Sequence, residues 1–267
     1  MVNPYGRQVY TVDLRREAVD GFVFWTRNIG PFMDALKEVR GGGYPFVVQY
    51  GITGYPGAIE HSVIDIAKSI EHVRRIAEEY APRVAVWRYD TIVFSSLTPR
   101  EFHLRTFERL ASAMEGATDE VVISLTHLYN KTLRNMNAAA SQFSFTWNDP
   151  PDEQKLRLAA ELVQIAKAHR MQLSVCSQRP YIVEGAADAR CIDAARLSDV
   201  GGKPIDTRLK DNRKECDCYQ SRDIGEYDTC PHGCASCYAV GSQATARRRF
   251  SEHDPDSEFL FPPAAAS

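Results

Sequence analysis

Short apolar runs alternate with amphipathic helical patterns through the first two thirds of the chain, and this alternation constrains the fold more than any other feature. The runs are rich in β-branched and aromatic residues, and they predict strands at 21–25, 46–50, 83–89, 121–125 and 172–176. Between the second and the third strand, residues 61–80 repeat apolar side chains at the spacing of an amphipathic helix. Strands that alternate with helices form a parallel sheet. The sequence therefore predicts an α/β fold.

Two architectures fit this alternation: a (βα) barrel, complete or partial, and an open doubly wound sheet. We favour the TIM-like barrel, because no GxGxxG motif follows a predicted strand as it would in a dinucleotide-binding fold. The pattern loses its regularity from about residue 185. We therefore divide the chain into a barrel-like domain at 1–209, an iron–sulfur module at 210–240 and a loose tail at 241–267.

Local signals predict where the other helices begin and end. A helix over 31–40 is ended by three consecutive glycines. Thr98 is expected to cap a helix that has Pro99 at its first position, a capping box completed by Glu101, and an end near residue 115. Asp149 and Pro150 are expected to open a further helix.

Composition argues against several classes of protein. The 267 residues are 44% hydrophobic, which is ample for one core with a small appendage. A net charge of -3 gives no basic field for nucleic acid, and no apolar run approaches the ~18 residues of a membrane span. The first six residues lack the charged and apolar segments of a signal peptide. We therefore expect a cytoplasmic protein that binds neither membranes nor nucleic acid.

Cysteine spacing gives the strongest chemical signal, because five of the seven cysteines lie between positions 216 and 237. An odd number of cysteines in a large chain of cytosolic character favours metal ligation over a disulfide framework. Cys230, Cys234 and Cys237 form a CxxxCxxC motif, whose thiolates would hold three irons of a [4Fe–4S] cluster. The fourth iron would stay open to a small molecule. This spacing resembles that of radical SAM enzymes, in which the open iron binds the amino and carboxylate groups of S-adenosylmethionine.

The other four cysteines, Cys176, Cys191, Cys216 and Cys218, would suffice for a second, closed [4Fe–4S] cluster or for one zinc ion. Cys176 ends a predicted strand and Cys191 lies in the following loop. The alternative for Cys176 is a small buried hydrophobic side chain. For the CxxxCxxC motif the alternatives are structural zinc and unligated thiols. His232, within that motif, is either a further ligand or a solvent-facing residue.

Polar residues cluster at three predicted strand ends, where βα folds build their active sites. We assign catalysis to Arg27, Arg88, Asp90, His127 and Lys131, and cofactor binding to Trp25, Asn28, Tyr89 and Asp223. The two arginines suit bidentate contacts to a carboxylate, and His127 and Lys131 suit proton transfer. Asp90 suits a ribose hydroxyl or the orientation of Arg88. The alternatives are a structural Arg88–Asp90 ion pair, a satisfied polar role for His127 and a turn cap for Asp223.

Several stretches together resemble the family called domain of unknown function 1848. In chain order they are GFVFWTRNIGPF at 21–32, RVAVWRYDTI at 83–92, VVISLTHLYNK at 121–131, LSVC at 173–176, CID at 191–193 and KDNRKECDCYQSRDIGEYDTCPHGCASCYA at 210–239. The resemblance implies a barrel-like fold and an iron–sulfur site, with the cysteine cluster at the carboxyl end of the domain. In ordinary radical SAM enzymes that cluster follows the first strand. The resemblance implies no particular reaction.

The chain departs from the family pattern in two places. Ser236 stands where many members carry an aromatic residue before the last cysteine. Members also usually have a strand and a helix before the segment that corresponds to residues 2–5. We therefore expect the first βα unit to be absent or supplied otherwise, which puts barrel closure and stability in question.

Three functions fit these observations. The first is a radical-SAM-like enzyme, in which a reductant such as ferredoxin or flavodoxin supplies an electron, S-adenosylmethionine is cleaved at the open iron, and the barrel confines the radical beside a small-molecule substrate. Against it, no clear glycine-rich segment for the amine of S-adenosylmethionine is visible. The second is an iron–sulfur protein for electron transfer or redox sensing. The third is a zinc-stabilised barrel acting on nucleic acid, against which the near-neutral charge counts.

Overall fold

The computed structural model describes residues 11–210 and 215–261. Its strands are β1 (Phe22–Thr26), β2 (Phe46–Gly51), β3 (Ala85–Ile92), β4 (Phe94–Ser95), β5 (Glu120–Leu125), β6 (Trp147–Asn148), β7 (Gln172–Val175) and β8 (Ala187–Asp188). Its α-helices are α1 (Met33–Gly41), α2 (Ile66–Glu79), α3 (Arg100–Met114), α4 (Asn130–Phe143), α5 (Asp152–Ala168), α6 (Ala194–Gly201) and α7 (Gln243–Ser251). Short 3-10 turns lie at Gly30–Phe32, Pro82–Val84 and Arg179–Tyr181. The segment at 2–5 lies outside the described residues.

Six strands form one sheet in the order β1-β2-β3-β5-β7-β8. All neighbours in it are parallel, and the order follows the chain without a reversal. The predicted α/β fold with a parallel sheet is therefore confirmed. Within the two described ranges, β1 and β8 each pair with one neighbour, so closure into a barrel is not seen. Strands β4 and β6 form a separate antiparallel pair.

One face of the sheet carries the main core, which α1, α2, α3 and α5 cover. Trp87 and Tyr89 of β3 are fully buried there, with ring centroids 4.7 Å and 5.1 Å from that of Phe107. Burial of such a side chain contributes about 2 kcal/mol relative to exposure. Their polar atoms are paired, because the Trp87 indole donates to the Ile52 carbonyl at 2.8 Å and the Tyr89 hydroxyl meets His103 Nδ1 at 3.0 Å.

The opposite face changes character along the strands. Near the amino ends of the strands, Val47, Val86 and Val122 pack with Leu197 of α6 in a smaller apolar cluster. Side chains two residues apart on a strand share a face. The positions that follow these valines on the same face are Gln49, Arg88 and Ser124. This face therefore becomes polar towards the carboxyl ends of the strands.

The beginnings of two predicted helices need correction. Helix α2 begins at Ile66 rather than at residue 61, because the Asp65 carboxylate caps it by accepting from the Ala67 amide at 2.8 Å. The capping box predicted for α3 is wrong. Thr98 donates its hydroxyl to the Val93 carbonyl at 2.7 Å, which ties it to the turn after β3, and the helix begins at Arg100 without a side-chain cap.

Helix α5 also begins later than predicted, at Asp152. Asp149, the predicted opening residue, instead pairs with Lys155 at 2.7 Å. Helices α4 and α6 were not predicted, and the predicted loose tail contains α7. Arg249 of α7 donates to the Tyr227 carbonyl at 2.7 Å and pairs with Glu226 at 3.4 Å, which attaches the helix to the cysteine-rich segment. In the described part of the chain, no helix combines the length and apolarity that crossing a membrane requires.

Candidate metal centre

Four cysteines from distant parts of the chain meet at the polar end of the sheet. Cys176 follows β7, and its sulfur lies 3.2 Å from that of Cys191, in the loop after β8. Cys218 lies near both Cys191 and Cys216, and both of these thiols influence its pKa. Cys216 and Cys218 are buried, whereas Cys176 and Cys191 are half-buried. We call Cys176, Cys191, Cys216 and Cys218 the four-cysteine group.

Backbone hydrogen bonds hold the Cys216–Cys218 segment against the sheet. The Tyr219 amide donates to the Ile192 carbonyl at 3.1 Å, next to Cys191. The Lys210 amide donates to the Cys218 carbonyl at 2.9 Å. The main chain therefore fixes the Cys216–Cys218 segment next to Cys191, in addition to the sulfur contacts.

The thiols of the four-cysteine group differ in acidity. The hydrogen bond with Cys191, together with burial, raises the pKa of Cys176 well above its usual range. The hydrogen bond with Cys176 acts to lower the pKa of Cys191, but the bond with Cys218 and burial raise it overall. The hydrogen bond from Cys191 lowers the pKa of Cys218, despite some burial. Cys218 is therefore held as the most acidic of these three thiols.

Arg88 of β3 contacts the four-cysteine group directly. Its Nη1 atom lies 3.1 Å from Cys191 Sγ and 3.2 Å from Gln49 Oε1, and its Nε atom donates to Asp90 Oδ2 at 3.1 Å. Burial opposes a charge on this side chain, but Asp90, Cys191 and Cys176 raise the pKa of Arg88 above its usual value. Arg88 is therefore a buried permanent cation beside thiols, the environment that stabilises thiolates.

Cys230, Cys234 and Cys237, which we call the three-cysteine group, lie on one loop at a separate place. Cys230 is exposed, and the other two are half-buried. The loop turns at Gly233, whose φ of 70° lies in the left-handed region that favours glycine. Its close approach to the His61 side chain also favours glycine, because an added Cβ would lie 3.3 Å from His61 Cβ.

The loop of the three-cysteine group is attached to the segment after β2. The Ala235 amide donates to the Ile59 carbonyl at 2.8 Å, and the Ser62 amide donates to the His232 carbonyl at the same distance. The ring of His232, a possible ligand in the sequence analysis, lies with Nδ1 3.1 Å from the Ser62 carbonyl. The loop is therefore fixed by main-chain contacts that do not involve a sulfur.

Half-buried Arg27 and buried Glu60 form an ion pair beside the three-cysteine group. Arg27 Nη1 lies 2.6 Å from Glu60 Oε1, and the Thr53 hydroxyl donates to the same oxygen at 2.8 Å. Burial raises the pKa of Cys234 to about 12, and Arg27 partly offsets this effect. Burial likewise raises the pKa of Cys230. Arg27 is therefore the cation of the three-cysteine group, as Arg88 is of the four-cysteine group.

Asp90 connects the surroundings of the two groups. Its carboxylate pairs with Arg88, and its main-chain carbonyl accepts from Arg27 Nη2 at 3.3 Å. The predicted Arg88–Asp90 ion pair is therefore present. Glu60 and Gln49 were missed in the sequence analysis. A polar residue inside the apolar run at 46–50 could have identified Gln49, but no pattern distinguished Glu60.

The structure gives the other predicted residues different surroundings. Tyr89 is a core residue on the helix-covered face, because neighbours on a strand point to opposite faces. The side chains of Asn28 and Asp223 accept from the Gly30 and Gly225 amides, so both form turns. The remaining positions are these: Trp25 is 50% exposed on β1, His127 stacks on Tyr129, and Lys131 lies over the Tyr227 ring.

The donor set of each group fits an iron–sulfur cluster. Both groups offer only thiols as ligands, and each has an arginine that can compensate thiolate charge. In residues 11–210 and 215–261, no three His, Cys, Asp or Glu side chains have an arrangement that could hold a metal ion.

Comparison with known proteins gave one family. The model described as "Domain of unknown function (DUF1848)" matches residues 1–239, which include all seven cysteines. No curated protein matches the chain.

Proposed function

We propose, from the premise that this chain belongs to the DUF1848 family, that it is an iron–sulfur redox enzyme with two [4Fe–4S] clusters. The four-cysteine group would hold a closed cluster. The three-cysteine group would hold a cluster with one open iron, where a small molecule binds, as S-adenosylmethionine does in radical SAM enzymes. A reductant of the ferredoxin or flavodoxin class would supply electrons, and the protein would act in the cytoplasm.

The convergence of the four-cysteine group is the observation that carries this proposal. Its members span positions 176 to 218, yet the sulfurs of Cys176 and Cys191 are 3.2 Å apart, and Cys191 and Cys216 lie close enough to Cys218 to shift its pKa. Four thiols from one strand end and two loops have no packing reason to meet around a buried arginine. A shared metal centre explains their meeting, because it needs several thiolates at one point.

The sheet supports a partial barrel around the site. Its six strands follow chain order, so each connection moves the chain in the same direction, as in a (βα) barrel. The polar face at the carboxyl ends of the strands would be the inner face. On this proposal, Gln49, Arg88 and Cys176 line the mouth of the barrel, where barrel enzymes bind their substrates.

The two arginines support a role that differs from the predicted clamp on a substrate. The guanidinium of Arg27 is occupied by Glu60, Thr53 and the Asp90 carbonyl. That of Arg88 is occupied by Asp90, Gln49 and Cys191. Both can therefore compensate the charge of thiolates that a bound cluster would ionise. When bound, an open-site cluster supplies one electron and a vacant iron position for the small molecule.

Metal analysis of the protein purified without oxygen tests the proposal. We expect a brown protein that contains roughly eight irons per chain and no zinc, whereas roughly four irons would mean one cluster. Zinc without iron in the full chain, after reconstitution with iron and sulfide, would end the iron–sulfur proposal.

Spectroscopy of the reduced protein tests the open iron. Adding S-adenosylmethionine should change the EPR signal of a cluster that is lost in the Cys230→Ala/Cys234→Ala/Cys237→Ala variant, and reductive cleavage should follow. If the signal and the S-adenosylmethionine both stay unchanged under strong reductant, the protein is an electron carrier or redox sensor instead.

A further inference from the structure

We infer that Arg88 and Asp90 together set the reduction potential of the cluster in the four-cysteine group. This inference rests on the proposed function, because it presupposes a cluster at that group. Both residues act on the cluster through Cys191 and through charge, so they are tuning residues that touch no substrate. Their contacts set them apart from the other strand-end residues.

Arg88 directly contacts a sulfur of the four-cysteine group. Arg88 Nη1 lies 3.1 Å from Cys191 Sγ, and Gln49 holds both partners, because it accepts from Arg88 at 3.2 Å and donates to the Cys191 carbonyl at 3.3 Å. Hydrogen bonds to the sulfurs and the local charge are two of the factors that fix the potential of an iron–sulfur cluster. The geometry supplies both from one side chain.

Burial makes the charge of Arg88 effective. Arg88 is only 7% exposed, so water screens its charge weakly. Reduction adds one negative charge to the cluster, and a positive charge nearby favours that state. Arg88 should therefore raise the potential. Asp90, paired with Arg88 and half-buried, carries the opposite charge and should lower it.

Asp90 also connects Arg88 to the surroundings of the three-cysteine group. The Asp90 carbonyl accepts from Arg27, and Arg27 lies near Cys234. Each group therefore has its own arginine, and Asp90 contacts Arg88 through its carboxylate and Arg27 through its main-chain carbonyl. A substitution of the Asp90 side chain can therefore change the potential of one cluster while the cation of the other stays in place.

A redox titration followed by EPR tests the inference, with dithionite as electron donor. The background is the Cys230→Ala/Cys234→Ala/Cys237→Ala variant, so that the signal comes from the four-cysteine group alone. In this background, Arg88→Gln should lower the equilibrium constant for one-electron reduction of the cluster at least tenfold, which corresponds to a reduction potential lower by about 59 mV. Asp90→Asn should shift the potential in the opposite direction. Arg88→Lys, which keeps the charge, should shift it less than Arg88→Gln.

Arg196→Gln is the matched control. Arg196 is also buried and also paired with two carboxylates, those of Asp119 and Glu120, but it lies at the opposite ends of the strands. It should leave the potential unchanged.

The outcomes separate this inference from the proposed function. If the protein holds no iron, the proposed function fails. If iron is bound but Arg88→Gln leaves the potential within error of the parent, the proposed function stands and the inference is overturned. Shifts of Arg88→Gln and Asp90→Asn in the same direction would also overturn it, since charge requires opposite signs. If Arg88→Gln does not fold, Arg88→Lys and Asp90→Asn decide the question by the same criteria.

Discussion

The four-cysteine group and the three-cysteine group assemble their ligands in opposite ways. The first takes them from a strand end and two loops between positions 176 and 218, whereas the second takes all of them from the loop 230–237. In the first group Cys216 and Cys218 are buried, and in the second Cys230 is exposed. A metal held by distant ligands closes long loops, whereas one held by a single loop constrains little of the chain.

The contrast extends to what holds each group without metal. The loop at 230–237 keeps main-chain hydrogen bonds to Ile59 and Ser62 that involve no cysteine side chain. The Cys216–Cys218 segment has the Tyr219–Ile192 and Lys210–Cys218 bonds and an ion pair between Asp217 and Arg179 at 2.7 Å, but among the described residues no main-chain hydrogen bond joins it to Cys176 itself. On the proposed function, the four-cysteine group would therefore serve stability as well as electron transfer, and the three-cysteine group would be a separable reactive site.

Paired substitutions test this division, and they should have the largest effect. Cys191→Ala/Cys218→Ala should remove roughly four of roughly eight irons and lower the free energy of unfolding by more than about 4 kcal/mol, as loss of a structural metal does. Cys230→Ala/Cys237→Ala should remove as much iron but cost only about 1 kcal/mol, because the loop keeps its main-chain bonds. Anaerobic denaturant unfolding and iron analysis measure both. Equal losses of stability in the two variants would contradict the division.

The alternation of strands and helices predicted five of the six strands of the sheet, because each of these five contains an apolar run. The sixth, β8 (Ala187–Asp188), was missed because two residues are too few to show a strand period. Cysteine spacing likewise predicted the division of the seven cysteines into two groups, and the structure brings Cys176 and Cys191 together as that division expects. Tyr89 was assigned wrongly because the strand-end residues were treated as one cluster. The two-residue period of a strand places Tyr89 in the core and its neighbours Arg88 and Asp90 on the opposite face.

Pairings between distant residues could not be predicted from the sequence. Glu60 lies in an irregular segment, 33 positions from Arg27, and only the folded chain brings their charges to 2.6 Å. Helix α6 was missed because its eight residues are too few to show a helical period. Thr98 and Asp149 looked like helix caps because their side chains suit that role, but tertiary partners engage both instead.

Acid should also lower the free energy of unfolding, by less than the loss of the four-cysteine group does, through a residue beneath the sheet that carries this group. His103 is fully buried beneath β3, and burial lowers its pKa to about 4. The unfolded chain, with a pKa near 6.5, takes up this proton first as the pH falls. The contribution of His103 is therefore complete above about pH 6.5 and is lost towards pH 4, a difference of about 3 kcal/mol in the free energy of unfolding.

Comparison of the wild type with His103→Gln measures this contribution, because the variant should lose less stability between pH 7 and pH 4. His169→Gln is the control of opposite sign. Hydrogen bonds with Glu108 and Glu115 raise the pKa of His169, so its contribution is present at low pH and is lost as the pH rises through that raised value. If His103→Gln and wild type had the same pH dependence, His103 would not be neutral in the fold.

The smallest effect concerns the loop of the three-cysteine group. Gly233→Ala places a side chain at a φ of 70° and 3.3 Å from His61 Cβ, which should cost about 1 kcal/mol. Because this loop is a separable site, the cost should appear as faster loss of its roughly four irons to a chelator, with the global unfolding transition nearly unchanged. Gly57→Ala is the control, since an added Cβ there meets nothing within 4 Å. A drop in global stability with iron retention unchanged would show that the loop belongs to the cooperative core, and the two groups would then not differ as argued.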